Sequence, residues 1–137
     1  MRGQAAVEFL AIVAFFLLVT VPVFMYFYTS APQKEYYASL SQAESAASEF
    51  IKYGELVGTQ SNGTKVSRLI VLPKHAMGIV LNGTTASLNV SYYTFSSDVV
   101  KVGAVDFVES GIDVPFGGTY EFIFTNVDGK VNVTRRQ

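Results

Sequence analysis

The first thirty residues are dominated by apolar side chains. Glu8 is the only charged residue between positions 3 and 33, and residues 9–28 form a run of 20 without any charge. A helix of about 20 residues is roughly 30 Å long, which matches the hydrocarbon core of a bilayer. The pattern therefore predicts a membrane-spanning helix. Its main apolar positions are Phe9, Leu10, Ile12, Val13, Phe16, Leu17, Val21 and Phe24.

Two alternatives for this apolar run are weaker. A helix buried in a soluble core needs cover on every side, and the remaining residues, about 110, are too few to provide it. A secretory signal peptide has an apolar region of about 7–15 residues, whereas this run is longer and Pro32 follows its small residues. A permanent single-pass anchor and a helix that ends inside a filament both remain open.

A second apolar pattern follows at helical spacing. The positions that recur at intervals of four and three residues are Tyr36, Leu40, Ala43, Ala47, Phe50, Gly54 and Val57. Such a stripe predicts an amphipathic helix that packs on a sheet of the same chain. A self-associating coiled coil is the alternative, although two alanines and a glycine make a thin seam.

Prolines and glycines divide this helical region. The residue before a proline avoids the α conformation, so we expect Ala31-Pro32 to kink or interrupt the helix. Pro22 is expected to bend it, which membrane helices tolerate. Gly58 and the turn-forming residues 61–63 are expected to end it.

The remainder of the chain alternates apolar and polar residues as strands do. The predicted strands are residues 66–72, 78–81, 84–93, 98–104, 119–126 and 130–134. Asn82-Gly83 predicts a hairpin turn between two of them, and Asp128-Gly129 predicts another. We therefore expect an α+β fold, in which a long N-terminal helix is followed by a small antiparallel sheet of about four to six strands packed on its C-terminal half.

Composition excludes several classes of function. Half of the residues are apolar, 15% are charged, the mean hydropathy is +0.32 and the net charge is −1. Cysteine is absent, which excludes disulfides, thiolate zinc sites and cysteine nucleophiles. The single histidine, His75, makes a histidine metal cluster or a serine triad improbable. Arg135-Arg136 is too short a basic segment to indicate nucleic-acid binding.

Candidates for catalytic or metal chemistry are weak. His75 lies in a predicted loop. Asp106, Glu109 and Asp113 do not have the spacing of a calcium loop, so we expect a solvated acidic loop. Residues 117–118 precede a strand and not a helix, which predicts a turn instead of a phosphate loop. We therefore expect no enzyme activity, cofactor, metal ion or small-molecule substrate.

The N-terminus carries a more specific pattern, Met1-Arg2-Gly3-Gln4-Ala5-Ala6-Val7-Glu8-Phe9-Leu10. It resembles the class III signal peptide of archaeal type IV pilin-like proteins, over roughly residues 2–30. In that family a prepilin peptidase cuts between a glycine and a glutamine, and the apolar helix stays on the mature chain with a glutamate at its fifth position. The resemblance implies cleavage between Gly3 and Gln4, which leaves Glu8 fifth. The general plan of type IV pilins is likewise a long helix followed by a small β head.

The resemblance implies a division of the chain and a function. The parts are a leader (1–3), a transmembrane and filament-core helix (4–30), an amphipathic continuation (31–60) and an extracellular β head (61–137). The expected function is a structural subunit of a type IV pilus-like surface filament, with a cytoplasmic N-terminus before assembly and adhesion as the role of its outer surface. The alternatives are a single-pass membrane-anchored surface protein and a minor pilin-like subunit of a secretion or binding machine. A soluble enzyme is the third alternative.

Glu8 has two interpretations. A carboxylate at the edge of an apolar helix is costly without a partner. Cleavage after Gly3 creates an α-amine at Gln4, and in a staggered bundle Glu8 could meet the Gln4 amine of a neighbouring subunit and set the axial register. Alternatively, Glu8 sits at the membrane interface, where the helix dipole favours an acid.

Glycosylation sequons form the last feature. Four of the five asparagines begin an Asn-x-Ser/Thr triplet, namely Asn62, Asn82, Asn89 and Asn132. Two lie in predicted turns and two on the polar side of predicted strands, so we expect all four to be exposed, as an extracellular glycoprotein requires. The alternative is turn chemistry combined with threonine-rich strands.

Overall fold

The computed structural model describes residues 2–92, 94–115 and 117–136, and it describes side chains from Gly3 onward. Its elements are α1 (Arg2–Gly58), β1 (Lys65–Leu72), β2 (Ala76–Tyr92), β3 (Phe95–Asp113), β4 (Gly118–Val127) and β5 (Lys130–Arg135). The chain divides into two units, the first ending at Glu35 and the second beginning at Tyr36. The predicted α+β fold is confirmed.

The first unit is helical throughout residues 2–35, and it includes both prolines. Of the two outcomes predicted at Ala31-Pro32, a kink or an interruption, the interruption is wrong, because the helix continues through both residues. A proline inside a helix removes one backbone hydrogen bond and costs about 3 kcal/mol, but the many bonds on either side maintain the helix.

The second unit joins residues 36–58 of α1 to a five-stranded sheet in the order β1-β4-β5-β3-β2. Neighbouring strands are antiparallel except β3 and β5, which are parallel. The strands predicted at 66–72, 119–126 and 130–134 are confirmed as β1, β4 and β5. Asp128 and Gly129 have φ angles of 52° and 83°, so the predicted turn between β4 and β5 is also confirmed.

The hairpin predicted at Asn82-Gly83 is wrong. Residues 78–81 and 85–92 belong to one strand, and both segments pair with β3. The register shifts on either side of Gly83, whose φ angle is 53°. Glycine allows the left-handed conformation here, but it forms an irregularity within β2 and not a two-residue turn.

This irregularity nevertheless redirects the chain sharply. An extended strand rises about 3.3 Å per residue, so residues 75 and 91 would lie roughly 50 Å apart in a straight strand. The backbone N–H of Ser91 instead donates to the carbonyl of His75 at 3.0 Å. The rings of His75 and Tyr92 are 4.1 Å apart between centroids. Asn82 and Gly83 therefore form a corner, which we call the β2 corner.

The acidic loop predicted around Asp106, Glu109 and Asp113 is also wrong. All three residues lie in β3, which extends the predicted strand 98–104 in both directions, and all three are exposed. Phe107 holds this part of β3 on the core because its side chain is only 3% exposed. Among the residues described, no three metal-binding side chains form a group.

The turn predicted at residues 117–118 is only partly described, because the preceding Phe116 lies outside the described residues, as does Tyr93 at the end of a predicted strand. Gly118 begins β4, as expected for a turn that leads into a strand. Gly117 packs closely on the chain before β2, where a Cβ atom would lie 2.2 Å from the Cα atom of Lys74. Only glycine allows this approach.

The core lies between the helical stripe and one face of the sheet. The stripe residues Ala43, Ala47, Phe50 and Val57 are fully buried. The Phe50 ring meets the Phe122 ring edge to face, with centroids 4.9 Å apart. The prediction that the stripe packs on a sheet of the same chain is confirmed.

One buried side-chain amide forms hydrogen bonds to the C-terminal end of α1. The Asn126 side chain is buried, and its Nδ2 donates to the carbonyls of Val57, Gly58 and Gln60 at 3.2, 3.3 and 2.8 Å. Its Oδ1 accepts the backbone N–H of Gly129 at 3.0 Å. The last turn of a helix leaves carbonyls without helical partners, and Asn126 donates to two of them, Val57 and Gly58, and to Gln60 just beyond the helix, while joining this end to the β4–β5 turn.

A close contact between helix and sheet gives a first prediction. A Cβ atom at Gly54 would lie 2.4 Å from Cζ of the buried Phe107 ring. We expect Gly54→Ala to destabilise the second unit by about 1–3 kcal/mol through overpacking, against a helix-propensity gain of about 1 kcal/mol. Thermal unfolding of the full chain in detergent, followed by near-UV circular dichroism, measures this. Gly111→Ala is the matched control, because a Cβ atom there meets nothing within 4 Å. A Gly54→Ala variant at least as stable as the parent would contradict the packing described.

A second prediction concerns acid pH. The hydroxyl of Ser67 donates to the carboxylate of Glu121, and Arg136 lies 3.2 Å from it. The Ser67 bond is the main cause that lowers the pKa of Glu121 below 4.5, and Arg136 adds to it against partial desolvation. Because the pKa is lowered in the folded state, this stabilisation is present above about pH 4.5 and is lost as the pH falls through the lowered value. Ser67→Ala should move the Glu121 midpoint upward in an NMR titration of its carboxyl carbon, more than Arg136→Ala does. An unchanged midpoint in Ser67→Ala would contradict the assigned cause.

Candidate functional site

The principal surface of the first unit is an exposed apolar sleeve, which we define as residues 9–28 of α1. All the apolar positions predicted from the sequence are exposed here, with Phe9 at 66%, Phe16 at 65% and Phe24 at 71%. Adjacent residues such as Leu17 and Leu18 are both exposed, so the sleeve is apolar around its whole circumference. Among the described residues, α1 is the one helix long and apolar enough to cross a membrane.

A surface of this kind requires cover. Exposed apolar area costs roughly 25 cal/mol per Å² in water, and soluble monomers rarely expose patches above a few hundred Å². Because the sleeve has no polar side, contact with one neighbour along one stripe cannot cover it. Lipid tails or several neighbouring helices can.

The sleeve ends in tyrosines that the sequence argument did not single out. Tyr26 is 65% exposed and Tyr28 is 86% exposed. Tyrosine is enriched where a membrane helix leaves the hydrocarbon region, because its ring is apolar and its hydroxyl is polar. Their position at the end of an uncharged run is the signal that could have identified them.

At the other end, Gly3, Gln4 and Glu8 are exposed in the first turns of α1. Met1 of the predicted leader lies outside the described residues, as does the side chain of Arg2. Glu8 lies beyond the first turn, where the attraction of the helix dipole for an acid has faded.

The four sequons are not equivalent. Asn62 and Asn82 are exposed, whereas Asn89 and Asn132 are half-buried on β2 and β5. The prediction that all four are exposed is therefore wrong for two of them, because Asn89 is hydrogen-bonded to Asp98 on the neighbouring strand and Asn132 lies on a central strand of the sheet. Asn62 lies in the predicted turn, but Asn82 lies at the β2 corner, inside a strand.

His75 lies in the connection between β1 and β2, as predicted, and its ring packs on Tyr92. The functional surfaces that the structure offers are therefore the sleeve with its acidic end and the sequons on the sheet. A search of protein family models, of curated proteins and of solved structures found no match to this chain.

Proposed function

We propose that this protein is a structural subunit of a type IV pilus-like surface filament. The sleeve holds the subunit in the membrane before assembly. A prepilin peptidase then removes residues 1–3, and the sleeve packs against the same surface of other copies in the filament core. The sheet of the second unit forms the outer surface, where adhesion takes place.

The observation that carries this proposal is the contrast between two parts of one helix. From Ala43 to Val57 the apolar positions form a stripe that is fully buried on the sheet. From Val7 to Tyr28 the apolar positions lie on all sides and are exposed. The first arrangement suits a subunit that is folded on its own, and the second suits a helix whose cover comes from lipid at one stage and from other helices at another.

Glu8 supports assembly over permanent anchoring. A simple anchor gains nothing from an acid at position 8, since a carboxylate opposes insertion. Within a bundle, the same carboxylate can pair with the α-amine that cleavage creates at Gln4, and such a pair fixes register more than it adds stability. The Gly3-Gln4 sequence supports a cleavage that supplies this amine.

A shearing experiment distinguishes a filament subunit from a single-pass membrane anchor. Cells that produce the tagged chain are sheared, and fibres are collected by centrifugation, with a single-pass membrane protein as the control for membrane fragments. We expect the chain in fibres visible by electron microscopy, free of the control protein. If the chain is found only together with the control protein, as a monomer in detergent, the filament proposal is wrong and the protein is a single-pass surface anchor.

A further inference from the structure

The structure discriminates among the four sequons, which the sequence could not do. N-linked glycosylation uses the side-chain amide nitrogen of asparagine, so the acceptor has to be exposed and available. Exposure and hydrogen bonding at each sequon therefore decide which amide a transferase can engage on the folded chain.

The side-chain amides of two sequon asparagines are hydrogen-bonded to carboxylates. Nδ2 of Asn62 donates to Oδ1 of Asp128 at 2.8 Å, and Oδ1 of Asn62 accepts the backbone N–H of Asp128 at 3.0 Å. Nδ2 of Asn89 donates to Oδ1 of Asp98 at 2.7 Å across the β2–β3 pair. Hydrogen bonds to a charged acceptor are the stronger kind, and transfer to either nitrogen would have to break one.

Asn132 is excluded by its place in the sheet. It is half-buried on β5, which lies between β4 and β3 in the strand order. It pairs with Thr125 of β4, and the preceding Val131 pairs with Phe107 of β3. A transferase could reach this segment only if a central strand left the sheet.

Asn82 has none of these obstacles. It is exposed at the β2 corner, and β2 is an edge strand. Within residues 2–92, 94–115 and 117–136, no group hydrogen-bonds to its side-chain amide. The irregular pairing at Gly83 also makes the local backbone easier to displace than a regular ladder.

The surroundings of Asn82 are suited to a saccharide. A shallow depression of about 280 Å³ adjoins it, and its polar lining residues are Asp106, Glu109 and Lys130. Their side chains supply hydrogen-bond donors and acceptors for sugar hydroxyls.

We propose that Asn82 is the principal N-glycan acceptor of this protein and that Asn62, Asn89 and Asn132 remain unmodified. The donor is a saccharide activated at its anomeric carbon by a lipid-linked phosphate. A bond forms between Nδ2 and that carbon, the bond from the carbon to the phosphate oxygen breaks with its electron pair leaving on the phosphate, and one Nδ2 proton passes to a base of the transferase. The inference rests on the proposed function only in requiring that the second unit be outside the cytoplasm.

Peptide mass spectrometry of the full chain from its own cells tests this. Trypsin places Asn62 in residues 53–65, Asn82 with Asn89 in residues 75–101, and Asn132 in residues 131–135. Fragmentation that keeps the saccharide attached separates Asn82 from Asn89. We expect a saccharide mass on Asn82, absent in Thr84→Ala, retained in Thr84→Ser and unaffected by Asn62→Gln. Thr84→Ser is the matched control because it keeps the sequon.

An unmodified Asn82, or a saccharide on Asn62, Asn89 or Asn132, would overturn the inference. The same preparation separates this failure from failure of the proposed function. Unmodified Asn82 in a chain recovered from fibres contradicts only the glycan site, while modified Asn82 in a chain that never enters fibres contradicts only the filament.

Discussion

Replacing Glu8 with alanine is expected to lower the yield of sheared fibres by more than about tenfold, without lowering the amount of chain in the membrane. Removing one partner of a buried ion pair costs about 3–5 kcal/mol, and each 1.4 kcal/mol is a factor of ten in an equilibrium constant. Glu8→Ala would leave the Gln4 amine unpaired among apolar helices. Membrane insertion would not suffer, since the variant loses a charge that opposes it.

Two further variants make this result specific. Glu8→Gln keeps the size of the side chain but removes the charge, and it is expected to lower the fibre yield as Glu8→Ala does. Glu44→Ala removes an exposed acid on the polar side of the amphipathic part of α1, and this variant is expected to assemble normally. Fibre yield and membrane content are compared by immunoblot of the sheared and membrane fractions. Normal fibres from Glu8→Ala would show that this carboxylate has no part in assembly.

Replacing Asn126 with alanine is expected to lower the free energy of unfolding of the second unit by about 3 kcal/mol. The change removes one amide group that donates to three carbonyls, at the end of α1 and just after it, and one acceptor for the β4–β5 turn. Each buried group left without a partner costs about 1–3 kcal/mol, partly relieved where water can enter. Denaturant unfolding of the full chain in detergent, followed by tyrosine circular dichroism, measures the loss.

Asn126→Asp tests which part of the amide matters. It keeps an acceptor for Gly129 but replaces the three-way donor with oxygen, so it should be at least as harmful as alanine. Asn132→Ala is the matched control, since Asn132 is only half-buried on the neighbouring strand. If Asn126→Ala stayed within about 0.5 kcal/mol of the parent, as substitutions at ordinary surface positions do, the helix end would not depend on this amide.

The sequence was sufficient wherever local periodicity determines structure. The spacing of Ala43, Ala47 and Phe50 predicted a one-sided helix, and those positions are buried on the sheet. The apolar sleeve was equally predictable, because few structures other than a membrane-spanning helix contain an uncharged run long enough to cross a bilayer. Outside β3, the alternation of apolar and polar residues predicted that these segments are strands. The turn at Asp128-Gly129 was predicted because these residue types tolerate the left-handed conformation.

Non-local pairing accounts for the errors. Asn82-Gly83 has the composition of a hairpin turn, but β3 is long enough to pair with both sides of it, so the chain forms a corner within β2. The parallel contact of β3 with β5 joins residues 107 and 131 and leaves no local signal. The ranking of the sequons depended on Asp98 and Asp128, whose positions opposite the asparagines only the fold defines. The buried role of Asn126 was missed for the same reason.

The central claim is that one apolar helix exchanges lipid for copies of itself after its leader is removed. N-terminal peptide mass spectrometry on membranes and on sheared fibres from the same cells tests it most directly. We expect the chain in fibres to begin at Gln4, with any chain that still carries Met1 confined to the membrane fraction. Fibres built from chains that retain Met1, or chains that begin at Gln4 and never leave the membrane, would contradict the account.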